Sequence, residues 1–296
     1  MPAQVHLVDA SPYIFRAYFS IPTSFTDPEG QPVNAVYGFS QFLRRLREEE
    51  KPTHIALAFD RSLTTSFRNK IYPEYKAQRE LPPPELEAQL RNCERLGRAL
   101  GMTTFSDEEF EADDLIGTLW RPLRSEGHRV VVVSNDKDLA QLVDEGTELF
   151  DFAKGERYDE AKVVEKFGVR PNQIIDYLGL AGDSVDNIPG VRGVGPKTAV
   201  ALLQAYDDLE AIYEHLDEVP SLAIRGAKSL AKKLEEQRKT AFLSKQLATI
   251  ALDATAEGKA PAEGGVNRLI LQEPNLEQLD ALVAELGFDP LRRGRS

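Results

Sequence analysis

Residues 130–138 read Val130-Val131-Val132-Val133-Ser134-Asn135-Asp136-Lys137-Asp138. Four successive valines lack the alternation of a half-exposed strand and the length of a helix, so the run predicts a strand buried on both faces of a parallel sheet. Acid follows at once. The pattern recurs where Val5–Val8 runs into Asp9 and where Ile55–Phe59 runs into Asp60. Gly146–Phe152 adds a further strand. Helical spacing fills Ala35–Glu50, Glu85–Leu100 and Ala112–Arg124, with Gly101 and Gly127 placed to stop the last two. Alternation of this kind predicts an α/β fold, a mainly parallel central sheet with helices on both faces.

Strand signals largely vanish after residue 158. Helices are expected over Glu160–Phe167, Pro171–Leu180, Pro196–Ala205, Ser229–Gln237, Thr240–Ala248 and Leu276–Leu286. The expected organisation is a core over 1–158, a helical region over 159–290 and a tail over 291–296. The segment Ser66–Pro84, ending in Pro82-Pro83-Pro84, is basic and aromatic without apolar periodicity. It reads as a surface loop or as a mobile element over a site.

Composition narrows the function. One cysteine and four histidines among 296 residues exclude an internal disulfide and the usual Cys/His zinc site. Apolar runs fall short of the roughly 18 residues that a membrane span needs. No secretory signal is visible, so a cytoplasmic protein is expected. Cys93 and Trp120 are expected in the core, His6 and His54 in structural roles, and His128 and His215 at the surface. A net charge of −12 argues against a nucleic-acid partner. The distribution weakens that argument. Arg61, Arg68, Lys70, Lys76 and Arg79 face only Glu74 within 61–79. Arg225, Lys228, Lys232, Lys233, Arg238 and Lys239 face Glu235 and Glu236 within 225–239.

In an open parallel sheet, ligands bind beyond the carboxyl ends of the strands. Asp9, Asp60 and Asp136 converge there by topology. Glu111-Ala112-Asp113-Asp114 opens a helix, Asp138 follows Asp136, and Asp183-Ser184-Val185-Asp186 follows Gly182. Any single one of these acids could be an N-cap or a helix-dipole charge. Gathered in one cleft they would repel each other unless cations intervene. All-oxygen ligands select Mg²⁺ or Mn²⁺, and two such ions form a clamp for phosphoryl transfer. The string Asn187 to Ala199 is neither a Walker A loop, because Pro196 separates Gly195 from Lys197, nor a dinucleotide fingerprint. A helix, a glycine hairpin and a second helix starting at Pro196 fit it, with Lys197 and Thr198 beside amides that can hold a phosphate.

Taken together, these strings resemble the 5′-nuclease family of flap endonucleases and 5′→3′ exonucleases. Similarity is greatest to the N-terminal nuclease domain of bacterial DNA polymerase I and its free-standing relatives. Ala58-Phe59-Asp60, Phe67-Arg68, Tyr75-Lys76-Ala77-Gln78-Arg79, Asn135-Asp136-Lys137-Asp138 and Gly182 to Gly190 occur in family order. The resemblance implies one metal group of Asp9, Asp60, Glu111 and Asp113 with Asp114 beside it, and a second of Asp136, Asp138, Asp183 and Asp186. It implies a helical arch over about 66–90, with Lys76 and Arg79 steering the scissile phosphate and Arg68, Tyr72 and Tyr75 meeting DNA. It also implies a helix-hairpin-helix over about 174–205, gripping duplex through Gly190, Gly193, Gly195, Lys197 and Thr198 and able to hold K⁺. The activity implied is two-metal hydrolysis of DNA at 5′ flaps, overhangs or nicks by a monomer, leaving 5′-phosphate products. Competing readings are a PIN-type ribonuclease, a non-catalytic DNA-junction binder and a fragment of a larger polymerase.

Overall fold

A computed structural model describes residues 2–61, 65–79, 82–255 and 263–290. The expected tail over 291–296 and two residues of the arch segment, 80 and 81, lie outside the described residues. Six strands form one sheet: β1 (Gln4–Asp9), β2 (His54–Asp60), β3 (Thr103–Asp107), β4 (Arg129–Val133), β5 (Thr147–Asp151) and β6 (Glu156–Tyr158). Their spatial order is β3-β2-β1-β4-β5-β6, parallel except for the antiparallel β6. β1 takes the centre, with Leu7 opposite both Ala56 and Val132.

Period-two alternation sorts the strand side chains into two cores. Val8, Ile55, Leu57, Val131 and Val133 pack with the helices Ser11–Ser20, Asn34–Glu50 and Pro84–Ala99. Val5, Leu7, Ala56, Ala58, Val130 and Val132 pack with the helix Ala112–Ser125 and the helical region beyond it. Strand β3 and the helix Ser11–Ser20 were not expected. β3 pairs on one side only, with β2, and its run Thr-Thr-Phe-Ser-Asp carries little apolar signal. Among its described residues the long basic-aromatic segment forms a single short helix, Phe67–Ile71, and the next helix starts at Pro84, where a proline is tolerated. His128 was expected at the surface and is buried, accepting a hydrogen bond from the Ala3 amide at Nδ1.

One buried ion pair joins three parts of the chain. Arg68, 3% exposed, places its two terminal nitrogens 2.7 and 2.8 Å from the oxygens of Asp114, which is wholly buried. The same guanidinium donates to the Leu247 and Thr249 carbonyls, and Asp114 accepts the Ala251 amide. Burial works against the guanidinium charge, but Asp114 and then Glu111 more than offset it, raising its pKa. Both residues are therefore corrected: Arg68 has no face to offer DNA, and the oxygens of Asp114 are already committed to Arg68 and to backbone amides. Removing one partner of such a pair leaves a charge uncompensated, at a cost of about 3–5 kcal/mol. Urea denaturation should show that loss for Asp114→Ala and for Arg68→Ala; a change below about 1 kcal/mol would be the value of an exposed pair.

Candidate metal centre

The alternation that sorts the core also aims the acids. Asp9 shares a sheet face with Val5 and Leu7, and Asp60 with Ala56 and Ala58, so both lie toward the start of the helix Ala112–Ser125. That helix is tied to the sheet edge by the Ala112 amide, which donates to Asp60 Oδ1 at 2.8 Å. Asp9 is buried and accepts from the Ser11 amide and the Ser134 hydroxyl. Ser134 in turn accepts the Asp136 amide, and Asp136 accepts the Asp138 amide. Sequence reading missed Ser134, a small hydroxyl at the strand end that couples the first acidic group to the second.

The helical region supplies the remaining carboxylates. Gly182, at φ +72°, ends the helix Ile174–Ala181 in a conformation that favours glycine. A tight loop follows, closed by reciprocal amide–carbonyl bonds of 2.9 and 2.7 Å between Asp183 and Ile188. This loop carries Asp183 and Asp186 to Asp138, and one carboxylate oxygen from each of the three lies within 4.8 Å of the others. Asp138 Oδ1 is buried with no hydrogen-bond partner. A hard cation fits such an orphaned oxygen among carboxylates, whereas a soft ligand set is missing from the cluster.

Protein cations already lean into the site. Lys76 Nζ lies 3.0 Å from Glu111 Oε2 and 3.7 Å from Asp186 Oδ2, and Arg79 pairs with Asp186 Oδ1. Lys137 pairs with Asp183 at 2.9 Å. The backbone holds Lys76 at φ +55°, fixed by its amide donating to the Asp186 carbonyl. Burial opposes the charge on Lys76, yet Glu111, Tyr75 and Asp186 raise its pKa well above normal. Burial likewise opposes the Glu111 carboxylate, and Lys76 and Arg68 hold its pKa down. Tyr75 was read as a DNA contact; it is buried, its hydroxyl donating to Glu111 and Asp186, so its ring cannot stack on a base. Tyr72 is half-buried and donates to Glu74.

The glycine hairpin divides in two. A Cβ on Gly190 would lie 2.4 Å from the Gly182 nitrogen, and the Gly190 amide donates to Ser244 Oγ. Gly190 is buried, so its expected role at DNA is corrected to one of closing the hairpin. Gly193 and Gly195 are exposed, as is Lys197, with Thr198 half-buried one turn into the helix Pro196–Ala205. A Cβ on Gly195 would meet nothing within 4 Å.

Two predictions follow from this geometry. Gly190→Ala should lower the unfolding free energy strongly, because backbone must move, while Gly195→Ala, at a helix N-cap with open space around it, should cost no more than about 1 kcal/mol; equal effects would contradict the division. The second concerns protons. Burial, then neighbouring Asp60, raises the Asp9 pKa, and burial, then Asp136, raises those of Asp113 and Asp138. Such groups bind protons more tightly folded than unfolded. Their stabilisation is complete below the unfolded value near 4 and is lost as pH rises through the raised values. Divalent cations take the deprotonated form, so Mg²⁺ should raise Tm more at about pH 8 than at about pH 5.5. Calorimetric titration in two buffers should detect proton release; a pH-independent shift without release would remove these carboxylates from the site.

Comparison with known proteins places this geometry. The pattern described as 5′-3′ exonuclease, N-terminal resolvase-like domain, matches residues 4–168, and that described as 5′-3′ exonuclease, C-terminal SAM fold, matches 169–273. DNA polymerase I of Bacillus subtilis is 44% identical over 96% of this chain and 31% of its own length. The chain thus spans about a third of the curated polymerase relatives it matches. The 5′-3′ exonuclease of Buchnera aphidicola is 38% identical over 83% of this chain and 86% of that one. The T5 5′-exonuclease, solved with divalent metal ions (zinc), shares the fold at a TM-score of 0.67 and 20% identity, covering 95% of this chain and 98% of that one. A bacteriophage T5 flap endonuclease, solved as a pseudo-enzyme-product complex with DNA and metal ions, gives 0.65 at 20% identity, over 95% and 93%. Among the described residues no helix is long and apolar enough to cross a membrane. The chain belongs to the 5′-3′ exonuclease family.

Proposed function

We infer that the chain is a structure-selective 5′ nuclease, hydrolysing DNA phosphodiesters near 5′ flaps, overhangs or nicks to leave 5′-phosphates. The observation that carries this reading is the meeting of Asp138, Asp183 and Asp186 beneath Lys76 and Arg79. In this reading residues 1–158 supply most of the acids and the basic segment, and residues 159–290 add Asp183 and Asp186 and hold duplex DNA. The oxygens of Asp138, Asp183 and Asp186, with Asp136, would hold one divalent ion. Asp9, Asp60 and Asp113, with Glu111, would hold another. Mg²⁺ or Mn²⁺ suits these hard donors, and when bound would polarise the phosphodiester and make the attacking water more acidic.

The protein side chains do the rest. Ser134 and the Ala112 amide fix Asp9 and Asp60 at the strand ends. Arg68 and Asp114 hold the base of the basic segment against the helix that presents Glu111 and Asp113. Lys76 and Arg79 then stand where a scissile phosphate would meet the carboxylates, and offset charge that develops on it. Gly193, Gly195, Lys197 and Thr198 offer duplex a contact with the backbone alone, which favours junction shape over base sequence. A PIN-type ribonuclease would have no use for the helical half of the family match.

Asp138→Asn should abolish Mg²⁺-dependent cleavage of an end-labelled flap and leave duplex binding within about tenfold, since phosphate contacts lie elsewhere. Near-normal cleavage would overturn the metal assignment. Lys76→Ala should slow single-turnover cleavage about a hundredfold at saturating enzyme, corresponding to about 2.7 kcal/mol of transition-state stabilisation. Weakened binding with an unchanged chemical step would make Lys76 a mere contributor to the field.

A further inference from the structure

The second basic tract, residues 225–239, has no part in the site described. Its helix Ala227–Glu236 buries Ala227, Leu230 and Leu234, and leaves Lys228, Lys232 and Lys233 exposed. At 3.6 residues per turn the three lysines fall on one arc of about 140°. Glu235 lies outside that arc. Glu236 lies within it, at the helix end, with an oxygen 3.7 Å from Lys232 Nζ.

A solvated face would end there, but this helix is fastened to the glycine hairpin. The side-chain oxygen of Gln237 accepts the Arg192 amide at 2.8 Å, and its side-chain nitrogen donates to the Arg192 carbonyl at 3.3 Å. The stem of Lys233 lies across Gly193: a Cβ there would be 3.3 Å from Nζ and 3.7 Å from Cδ. Gly193, at φ +89°, therefore serves the turn and also leaves room for this lysine. Lys233 thus lies against the hairpin, and Lys232 and Lys228 continue along the same helix, on two elements joined by hydrogen bonds. The helix is about 15 Å long at 1.5 Å per residue. Successive lysines at i and i+4 are about 6 Å apart along it, roughly two nucleotide rises of a DNA strand.

We propose that Lys228 and Lys232 form a second phosphate-binding surface that continues the duplex contact of the hairpin outward along this helix. The proposal rests on the nuclease reading above and names where its duplex would run. Its ligand is the backbone of double-stranded DNA, read by charge and spacing without base contacts. In the free protein a Glu236 oxygen lies 3.7 Å from Lys232 Nζ, so a phosphate at that lysine meets a repelling carboxylate.

Opposite substitutions test it. Lys228→Ala with Lys232→Ala should weaken binding of a blunt duplex roughly tenfold and lower the salt slope of log K by about 2, near 0.9 per phosphate contact. Glu236→Gln should tighten the same duplex by about threefold, because it frees Lys232 and removes a repelling charge. Binding is read by fluorescence anisotropy over a salt series, with Ca²⁺ in place of Mg²⁺, and circular dichroism checks folding. The proposal is overturned if the double variant keeps the parent's affinity and slope, or if Glu236→Gln leaves affinity unchanged. Should the parent itself fail to bind duplex, the nuclease reading falls first, and that outcome is distinct from a parent that binds with both variants inert.

Discussion

A guanidinium and a carboxylate, shut away from water together, set the geometry of everything that faces the acidic cleft. Arg68 comes from the basic segment, Asp114 from the first turn of the helix behind the cleft, and the Leu247, Thr249 and Ala251 backbone from the end of the helical region. Neither charge tolerates the other's absence at that depth. The pair therefore fixes the base of the segment that carries Lys76 and Arg79, and keeps Glu111 and Asp113 at a defined height above the sheet. The same closing chain also presses on this helix one turn beyond Asp114. A Cβ on Gly117 would stand 2.5 Å from Ile250 Cγ2, so the closing chain at 249–254 packs directly on helix backbone.

The acidic balance of the chain follows from the same site. Carboxylates from five separate segments are brought to one edge, where burial first, and then neighbouring carboxylates, raise the pKa of several of them. Lys76, Arg79 and Lys137 offset part of that charge from within. Net charge is a poor guide to the surface of this chain, because many of the acids face inward to the cleft, while basic side chains concentrate in two tracts of the sequence.

Much of this was legible in the sequence, for reasons that differ from one residue to the next. The buried strands were plain because a parallel strand covered on both faces must be apolar throughout, and the acids closing three of them mark the functional edge. The helices Glu160–Phe167, Pro196–Ala205 and Leu276–Leu286 match the spacing that announced them. β3 escaped notice because an edge strand needs less apolar surface. Asp113 and Asp114 could not be told apart, since adjacent residues on a helix point 100° apart and only the distant segment at 247–251 decides which is covered. Arg68 read as one more surface cation for the same cause: its partners are 46, 179 and 181 residues away. Tyr75 looked like a stacking platform until the loop at 183–188 closed over its hydroxyl.

Those separations have a kinetic meaning. Contacts far apart in sequence form late, after the entropy of closing the intervening loops has been overcome. The hydrogen bond from Ser134 to Asp9 spans 125 residues, and the clasp of Arg68 on Thr249 spans 181. A chain emerging from the ribosome can thus fold its first strands and helices while the clasp still lacks one jaw. The acids then stand apart on unfinished elements, and the cleft takes its final shape only once residues 247–251 have been made and have reached Arg68 and Asp114.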